Sequence, residues 1–324
     1  MKLFPLHLIP NDTKIDFLRT RYVAMTVVVL LVIASLIVIG TFGFRKEAYA
    51  LEFTGGTLVE TAFEKPADVE QVRQKLAAAG FENAQVQGIG GGNGLMIRLQ
   101  PHGESNNTMG DKTIANQVVQ AVSTAENPAR VLRSEFVGPQ VGADLVRDGI
   151  YATLFMLVGF VIYIAFRFEL KFALVASLTA FFDLIVTAAY IYGTGREFDL
   201  TVLAGLLSVM GFAINDIIVV FDRVRENFRT LRVDSMEVLN RSINQTLSRT
   251  VITAVMFFLS AWALYLYGGS SMEGLALTHM VGAVVVVVST IFVAVPMLSL
   301  GPFKVTKQDL LPKAKDEAAL ARRP

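Results

Sequence analysis

From Tyr22 to Phe44 the chain is apolar almost without interruption, and five further runs of the same kind follow: Gly149 to Phe166, Phe172 to Tyr192, Leu200 to Phe221, Thr250 to Tyr267 and Gly274 to Leu300. About 20 apolar residues span the hydrocarbon of a bilayer as a helix, so the pattern predicts six transmembrane helices, the fifth being the shortest. Between the first and second runs the pattern changes. GTLVETAF reads as a strand, Pro66 opens the helical stretch ADVEQVRQKLAAAG closed by Gly80, and ENAQVQGI and GLMIRLQ read as a hairpin. A helix near Thr113 to Thr124 and a strand, ARVLRSEFV, complete the order β-α-β-β-α-β, that of a ferredoxin-like split βαβ domain.

The expected organisation is therefore a polytopic α-helical membrane protein with one α+β ferredoxin-like domain. Residues 1–21 form an N-terminal segment, 22–44 the first transmembrane helix and 45–148 the outer domain. Residues 149–300 carry helices two to six with a loop at 222–249, and 301–324 form a tail. The composition agrees: 53% of residues are hydrophobic and 18% charged, against about 25% charged in soluble domains. There is no cysteine, so disulfides and thiolate chemistry are excluded and the outer domain must fold by its core alone.

Charge sets the topology. Lys2, Lys14, Arg19 and Arg21 precede the first span, Arg167 and Lys171 lie between the second and third, six arginines from Arg223 to Arg249 lie between the fourth and fifth, and the tail is basic. The two short loops on the other side hold a single basic residue, Arg196. The positive-inside rule then places both termini in the cytoplasm and residues 45–148 outside. Ala48-Tyr49-Ala50 has the form of a signal-peptidase site. The preceding apolar run is longer than a signal peptide needs, and Arg45-Lys46-Glu47 intervenes, so the first span is expected to remain as an anchor.

Chemistry is sparse. GIGGGNG lacks the Lys-Ser/Thr of a phosphate-binding loop and sits between two strands, so it is expected to be a hairpin tip. His7, His102 and His279 are scattered over both sides and the membrane and cannot form one metal site; His279 is expected to pack. Three charged residues sit where lipid should be, and an unpaired charge there costs on the order of 3 kcal/mol. At 1.5 Å per residue, Asp183 lies about 16 Å into the third span, Asp216 about 26 Å down the fourth from its outer end and Arg249 about 27 Å down the fifth. The matched depths of Asp216 and Arg249 predict that the two approach one another if their helices are neighbours, either as a proton relay or as a structural salt bridge. Asn215 adjoins this site. Ser208, Gly211, Asn215 and Asp222 fall on one helical face, a small and polar stripe of the kind that packs helices or lines a wet path. Asp183 is either a second relay group or a satisfied acceptor. Asp222, Arg223, Arg225 and Glu226 are expected to form a solvated inner cap, with Asp222-Arg223 as a gate.

Several segments together resemble the SecF branch of the SecD/SecF protein-export family of the RND superfamily: FTGGT at 53–57, EFVGPQVGADL at 135–145, FRFELKFALVA at 166–176, INDIIVVFDRVRENF at 214–228 and SINQTLSRTVIT at 242–253. The resemblance covers nearly the whole chain. It implies an RND-type half bundle in the bacterial inner membrane with a periplasmic domain. The implied activity uses the proton-motive force, with H⁺ or Na⁺ as coupling ion, to promote export of unfolded polypeptide. SecD and the SecYEG channel are the implied partners, YajC and YidC are further candidates, and the surrounding medium is the lipid bilayer; no nucleic acid, enzyme activity or cofactor is implied. Ion conduction falls on Asp216 and Arg249. Phe53, Thr54, Gly55, Gly56, Gly138 and Pro139 are motif residues that would hinge the outer domain. Two positions depart from the pattern: Glu52 stands where the family commonly has Asp, and Phe182-Asp183 where it often has His-Asp. A small-molecule RND exporter half and a non-conducting assembly scaffold are the rival readings.

Overall fold

The computed structural model describes residues 13–43, 48–81, 84–89, 93–99 and 108–310. The tail from 311, the hairpin-tip residues 90–92, His7 and His102 lie outside the described residues. The chain divides into two compact units, Tyr49–Tyr151 and the remainder.

The first unit contains a one-turn helix α2 (Leu51–Thr54), then β1 (Gly56–Phe63), α3 (Val69–Ala78), β2 (Gln85–Ile89), β3 (Gly94–Leu99), α4 (Thr108–Val122) and β4 (Ala129–Val137). The sheet is antiparallel with order β2-β3-β1-β4, the ferredoxin-like arrangement that the alternation of elements predicts. β1 and β4 begin and end where their patterns do. Helix α3 starts two residues later than its Ala67 because Asp68, in an extended conformation, caps it by accepting from Glu70 N. One face of the sheet and both helices enclose Val59, Val72, Leu76, Leu95, Ile97 and Val118, all at most 4% exposed. Each large apolar side chain so buried stabilises the fold by about 1.5–3 kcal/mol, which is how the unit holds without a disulfide.

The FTGGT motif has a steric reason. Gly55 (φ 68°) ends α2 in the left-handed conformation, and Gly56 (φ 122°) brings its backbone so close to β3 that an added Cβ would lie 2.3 Å from the Leu99 carbonyl oxygen. Gly142, in the following helix, approaches the same corner: a Cβ there would lie 3.3 Å from the Phe53 carbonyl oxygen. Gly138 joins β4 to that helix.

The second unit is built from α1 (Arg21–Phe42), the inner part of α5 (Pro139–Arg167), α6 (Leu170–Gly193), α7 (Leu200–Thr230), α8 (Ser235–Tyr267) and α9 (Glu273–Ser289), the last continued by a π-helical turn, Thr290–Ala294, and a short α10 (Val295–Met297). Among the described residues, six helices are long and apolar enough to cross a membrane. The expected loop 222–249 is a correction: α7 runs on to Thr230 and α8 begins at Ser235, so the connection is four residues, Leu231 to Asp234. Both helices continue as polar stems past the hydrocarbon, and the apolar run alone cannot show where the hydrogen-bonded ladder ends. The fifth span is thus the apolar half of a 33-residue helix.

Packing is tightest between α7 and α9. A Cβ at Gly205 would meet Thr278 Cβ at 2.8 Å, and one at Gly282 would meet Val209 Cγ2 at 2.3 Å. Toward the polar stems, Phe168, Phe172 and Phe221 pack as a cluster with ring centroids 5.2–6.1 Å apart. The extended segment before α1 is held to α8 through its backbone: Asn244 Oδ1 accepts from Ile15 N at 3.0 Å and Asn240 Oδ1 from Phe17 N at 2.9 Å.

Candidate ion site in the helix bundle

Helix α7 is started by Asp199, whose carboxylate accepts from Val202 N at 2.6 Å, and it delivers Asp216 to the middle of the bundle. Asp216 is 4% exposed. Its Oδ1 accepts a hydrogen bond from Thr250 Oγ1 at 2.9 Å, while its Oδ2 has no hydrogen-bond partner. Thr290, at the start of the π-helical turn, sets its hydroxyl beside the same carboxyl group. Asp183, on α6, is 1% exposed, and neither of its oxygens is hydrogen-bonded. It lies beside Ser289 and within electrostatic reach of Asp216. Ser289 does not complete a hydrogen bond to it, because its hydroxyl hydrogen goes to the Val286 carbonyl at 3.0 Å.

The expected approach of Arg249 to Asp216 is half right. Their helices are neighbours and the two residues lie at one depth, and the guanidinium is close enough to act on the carboxyl group electrostatically. No ion pair forms between them, however; the direct partner is Thr250, one residue on. Successive residues turn about 100° around a helix, so when Thr250 faces the α7 seam, Arg249 points to the open side of the bundle, where it is exposed. Helix α7 repeats the arrangement: Asp216 points inward and its neighbour Asn215 is exposed. The predicted stripe is real but faces outward, with Ser208, Gly211 and Asn215 all exposed. Near Gly211, Met156 of α5 is the nearest neighbour in space, at 3.9 Å from a built Cβ.

Three turns below Asp216, Asn227 is buried and donates to Ser242 Oγ at 2.9 Å and Gln245 Oε1 at 2.8 Å, fastening the inner halves of α7 and α8. The inner cap groups do come together at the surface, but not as the expected Asp222-Arg223 gate. Asp222 accepts from Arg167 at 2.8 Å, Arg223 pairs with Glu226 at 2.9 Å, and Arg225 reaches Glu169 at 3.3 Å while lying over the Phe168 ring. Residues one apart on a helix diverge, and i,i+3 pairs meet, which is why Asp222 and Arg223 take separate partners. Near the start of α9, His279 packs against Phe257, whose ring stacks on Phe212 with centroids 4.6 Å apart.

Thr187, Asn227, Thr250, Ser289 and Thr290 were not singled out by sequence. Hydroxyl and amide residues are common in helices and carry no charge penalty to betray them. The one available signal was position: Thr250 adjoins Arg249 in the matched-depth argument.

Residues 117–301 match the family described as protein export membrane protein SecD/SecF, C-terminal. The chain is 40% identical over 306 residues to protein translocase subunit SecF of Pseudomonas aeruginosa, covering 93% of this chain and 96% of that one. It is 39% identical over 282 residues to protein translocase subunit SecF of Escherichia coli O157:H7, covering 86% and 85%. Among solved structures it is similar to SecDF of Thermus thermophilus, a translocon-associated membrane protein, with a TM-score of 0.75 and 33% identity over 89% of this chain. It spans 38% of that SecDF chain.

Proposed function

This chain belongs to the SecF branch of the SecD/SecF protein-export family, and we propose that it works as the smaller half of a SecD–SecF pair in the bacterial inner membrane, coupling inward movement of a monovalent cation at Asp216 to outward movement of unfolded polypeptide. In this reading both termini are cytoplasmic, the ferredoxin-like domain is periplasmic, and the pair acts on chains emerging from SecYEG, with YajC and YidC as further partners. The exporter reading is set aside, since the SecF relatives match this chain over nearly its full length.

The observation that carries the proposal is the pairing of inside and outside groups at one depth. Asp216 is buried against Thr250, and beside it Asn215 and Arg249 are exposed on helix faces within the apolar spans. A guanidinium facing lipid within an apolar span is costly, so this face needs a second membrane half over it. With the half in place, Arg249 is confined close to Asp216.

The chemistry then follows from charge. An ionised Asp216 accepts from Thr250 and attracts Arg249. A proton on Asp216 removes that attraction and turns the carboxyl group into a donor, so the α7–α8 seam has a different lowest-energy spacing in the two states. The periplasmic domain is linked covalently to α1 and α5 and senses the shift through them. One charge crossing 100 mV supplies about 2.3 kcal/mol, whereas reversing a two-state element from 1:99 to 99:1 takes about 5.5 kcal/mol. A cycle therefore uses three or more ions at that voltage, a pH gradient added to the potential, or a partial bias.

The test is co-reconstitution with the SecD partner and the channel. Export is expected to accelerate when a proton gradient is imposed and to return to its basal rate when an ionophore collapses it. A rate indifferent to the ionophore would leave only the scaffold reading.

A further inference from the structure

A hydroxyl inside a helix commonly returns its hydrogen to a carbonyl one turn back, and this protein follows the habit closely. Thr179 donates to the Val175 carbonyl at 2.9 Å, Ser242 to Val238 at 2.7 Å, Thr246 to Ser242 at 2.9 Å and Thr278 to Gly274 at 2.8 Å. Thr187 and Thr290 break it. Their side chains are buried, at 0% and 1% exposure, yet neither Oγ1 makes any hydrogen bond. The other uncommitted oxygens in the same part of the bundle are both oxygens of Asp183 and Oδ2 of Asp216.

The two carboxyl groups and Thr290 lie together. Thr187 lies one turn outward of Asp183 on α6. Ser289 lies beside Asp183, Thr290 beside Asp216, and the two carboxyl groups act on one another. Thr290 begins a π-helical turn, a local widening that occurs preferentially at functional sites. Buried polar groups are almost always satisfied, and a water bound between such groups typically makes about three hydrogen bonds. Two neighbouring buried carboxylates cannot both ionise cheaply.

We propose that Asp183, Asp216, Thr187 and Thr290 enclose a water-bridged proton site in which Asp183 is a second carrier, in series with Asp216 and on its outer side. The order comes from position along the helices: Asp183 lies nearer the Gly193 end of α6 than Asp216 lies to the Leu200 end of α7. In the transfer step the Asp183 carboxyl O–H gives its proton to the bridging water, which gives a different proton to the Asp216 carboxylate. Asp183 is left ionised and takes its next proton from the outer side. One proton moves inward, no electrons change hands, and the hydroxyls of Thr187 and Thr290 hold the water. The proposal rests on the reading of Asp216 as the ion-coupling group and adds the group that feeds it.

The experiment uses the full chain co-reconstituted with its SecD partner, and follows proton uptake into vesicles with a trapped pH indicator. Thermal unfolding and co-purification with the partner check that each variant is assembled. Asp183→Asn, which keeps the shape, is expected to lower proton uptake about tenfold or more, Asp183→Glu to restore part of it, and Asp183→Asn combined with Asp216→Asn to be no worse than Asp216→Asn alone, as for groups acting in one series. Thr290→Val, which leaves both carboxyl groups in place, is expected to slow uptake while leaving assembly intact. Wild-type uptake by an assembled Asp183→Asn, with uptake lost in Asp216→Asn, would overturn this proposal and leave the preceding one standing. Wild-type uptake by Asp216→Asn would overturn both. If Asp183→Asn fails to assemble, Thr290→Val decides, and unchanged uptake in that variant overturns the proposal.

Discussion

Thr250 donates its hydroxyl hydrogen to Oδ1 of Asp216 at 2.9 Å, across the seam between α7 and α8. This bond, and not a direct ion pair to Arg249, is what the isolated chain provides to its buried carboxyl group. The difference matters because a hydroxyl can serve either charge state of its partner, donating to a carboxylate or accepting from a carboxylic acid. A guanidinium serves only one.

Replacing Thr250 by Val keeps the shape and deletes the donor. Leaving a buried acceptor unsatisfied costs about 1–3 kcal/mol, so Thr250→Val is expected to lower the unfolding free energy in detergent by that order, and Thr250→Ser to recover most of it. Equal stabilities for the Val and Ser variants would show that the bond is not formed.

Gly282 is where α9 comes closest to α7, with Val209 Cγ2 2.3 Å from where a Cβ would sit. Gly282→Ala must separate the two helices, at a cost of about 1–3 kcal/mol for overpacking. Gly211→Ala, whose nearest neighbour would be 3.9 Å away, is expected to be neutral or slightly stabilising, since alanine is the better helix former. Thermal unfolding of the two variants side by side checks the contrast.

Much of this was legible in the sequence, and the limits are physical. The period-two and helical patterns of residues 56–137 identify the ferredoxin-like unit because each element buries one face. Charge bias and run length give six spans. The stems of α7 and α8 escaped because the charges from Arg223 to Arg249 look like those of a solvated loop, whereas Val224, Phe228, Val238, Leu239 and Ile243 between them are buried faces of continuing helices. Depth along a helix is readable from residue counts, so Asp216 and Arg249 could be matched. Azimuth is not, and it is azimuth that puts Thr250 against Asp216 and turns Arg249 outward.

Near the end of the described chain, Asp309 accepts from Lys171 Nζ at 2.8 Å and from Thr306 N and Oγ1 at 2.8 Å. Burial works against its charge, but the Lys171 ammonium and the two Thr306 donors together outweigh burial and hold the carboxyl group below its ordinary 3.8. A depressed folded-state value means that the contact contributes fully above the unfolded value, near 3.8, and is lost as pH falls through the lower, folded one. Hydrogen exchange of residues 304–309 is therefore expected to be slow at neutral pH and to accelerate, after correction for intrinsic rates, as pH drops below about 4. Lys171→Met is expected to make the segment exchange faster already at neutral pH.

The most direct test of the account is the slope of export rate against imposed proton gradient, measured in vesicles carrying the channel, the SecD partner and either wild-type chain or Asp216→Asn. Ion coupling at Asp216 gives a rising line for wild type, a flat one for Asp216→Asn at the same basal rate, and a reduced slope for Asp216→Glu. Parallel lines for wild type and Asp216→Asn, with both proteins assembled to the same extent, would contradict it.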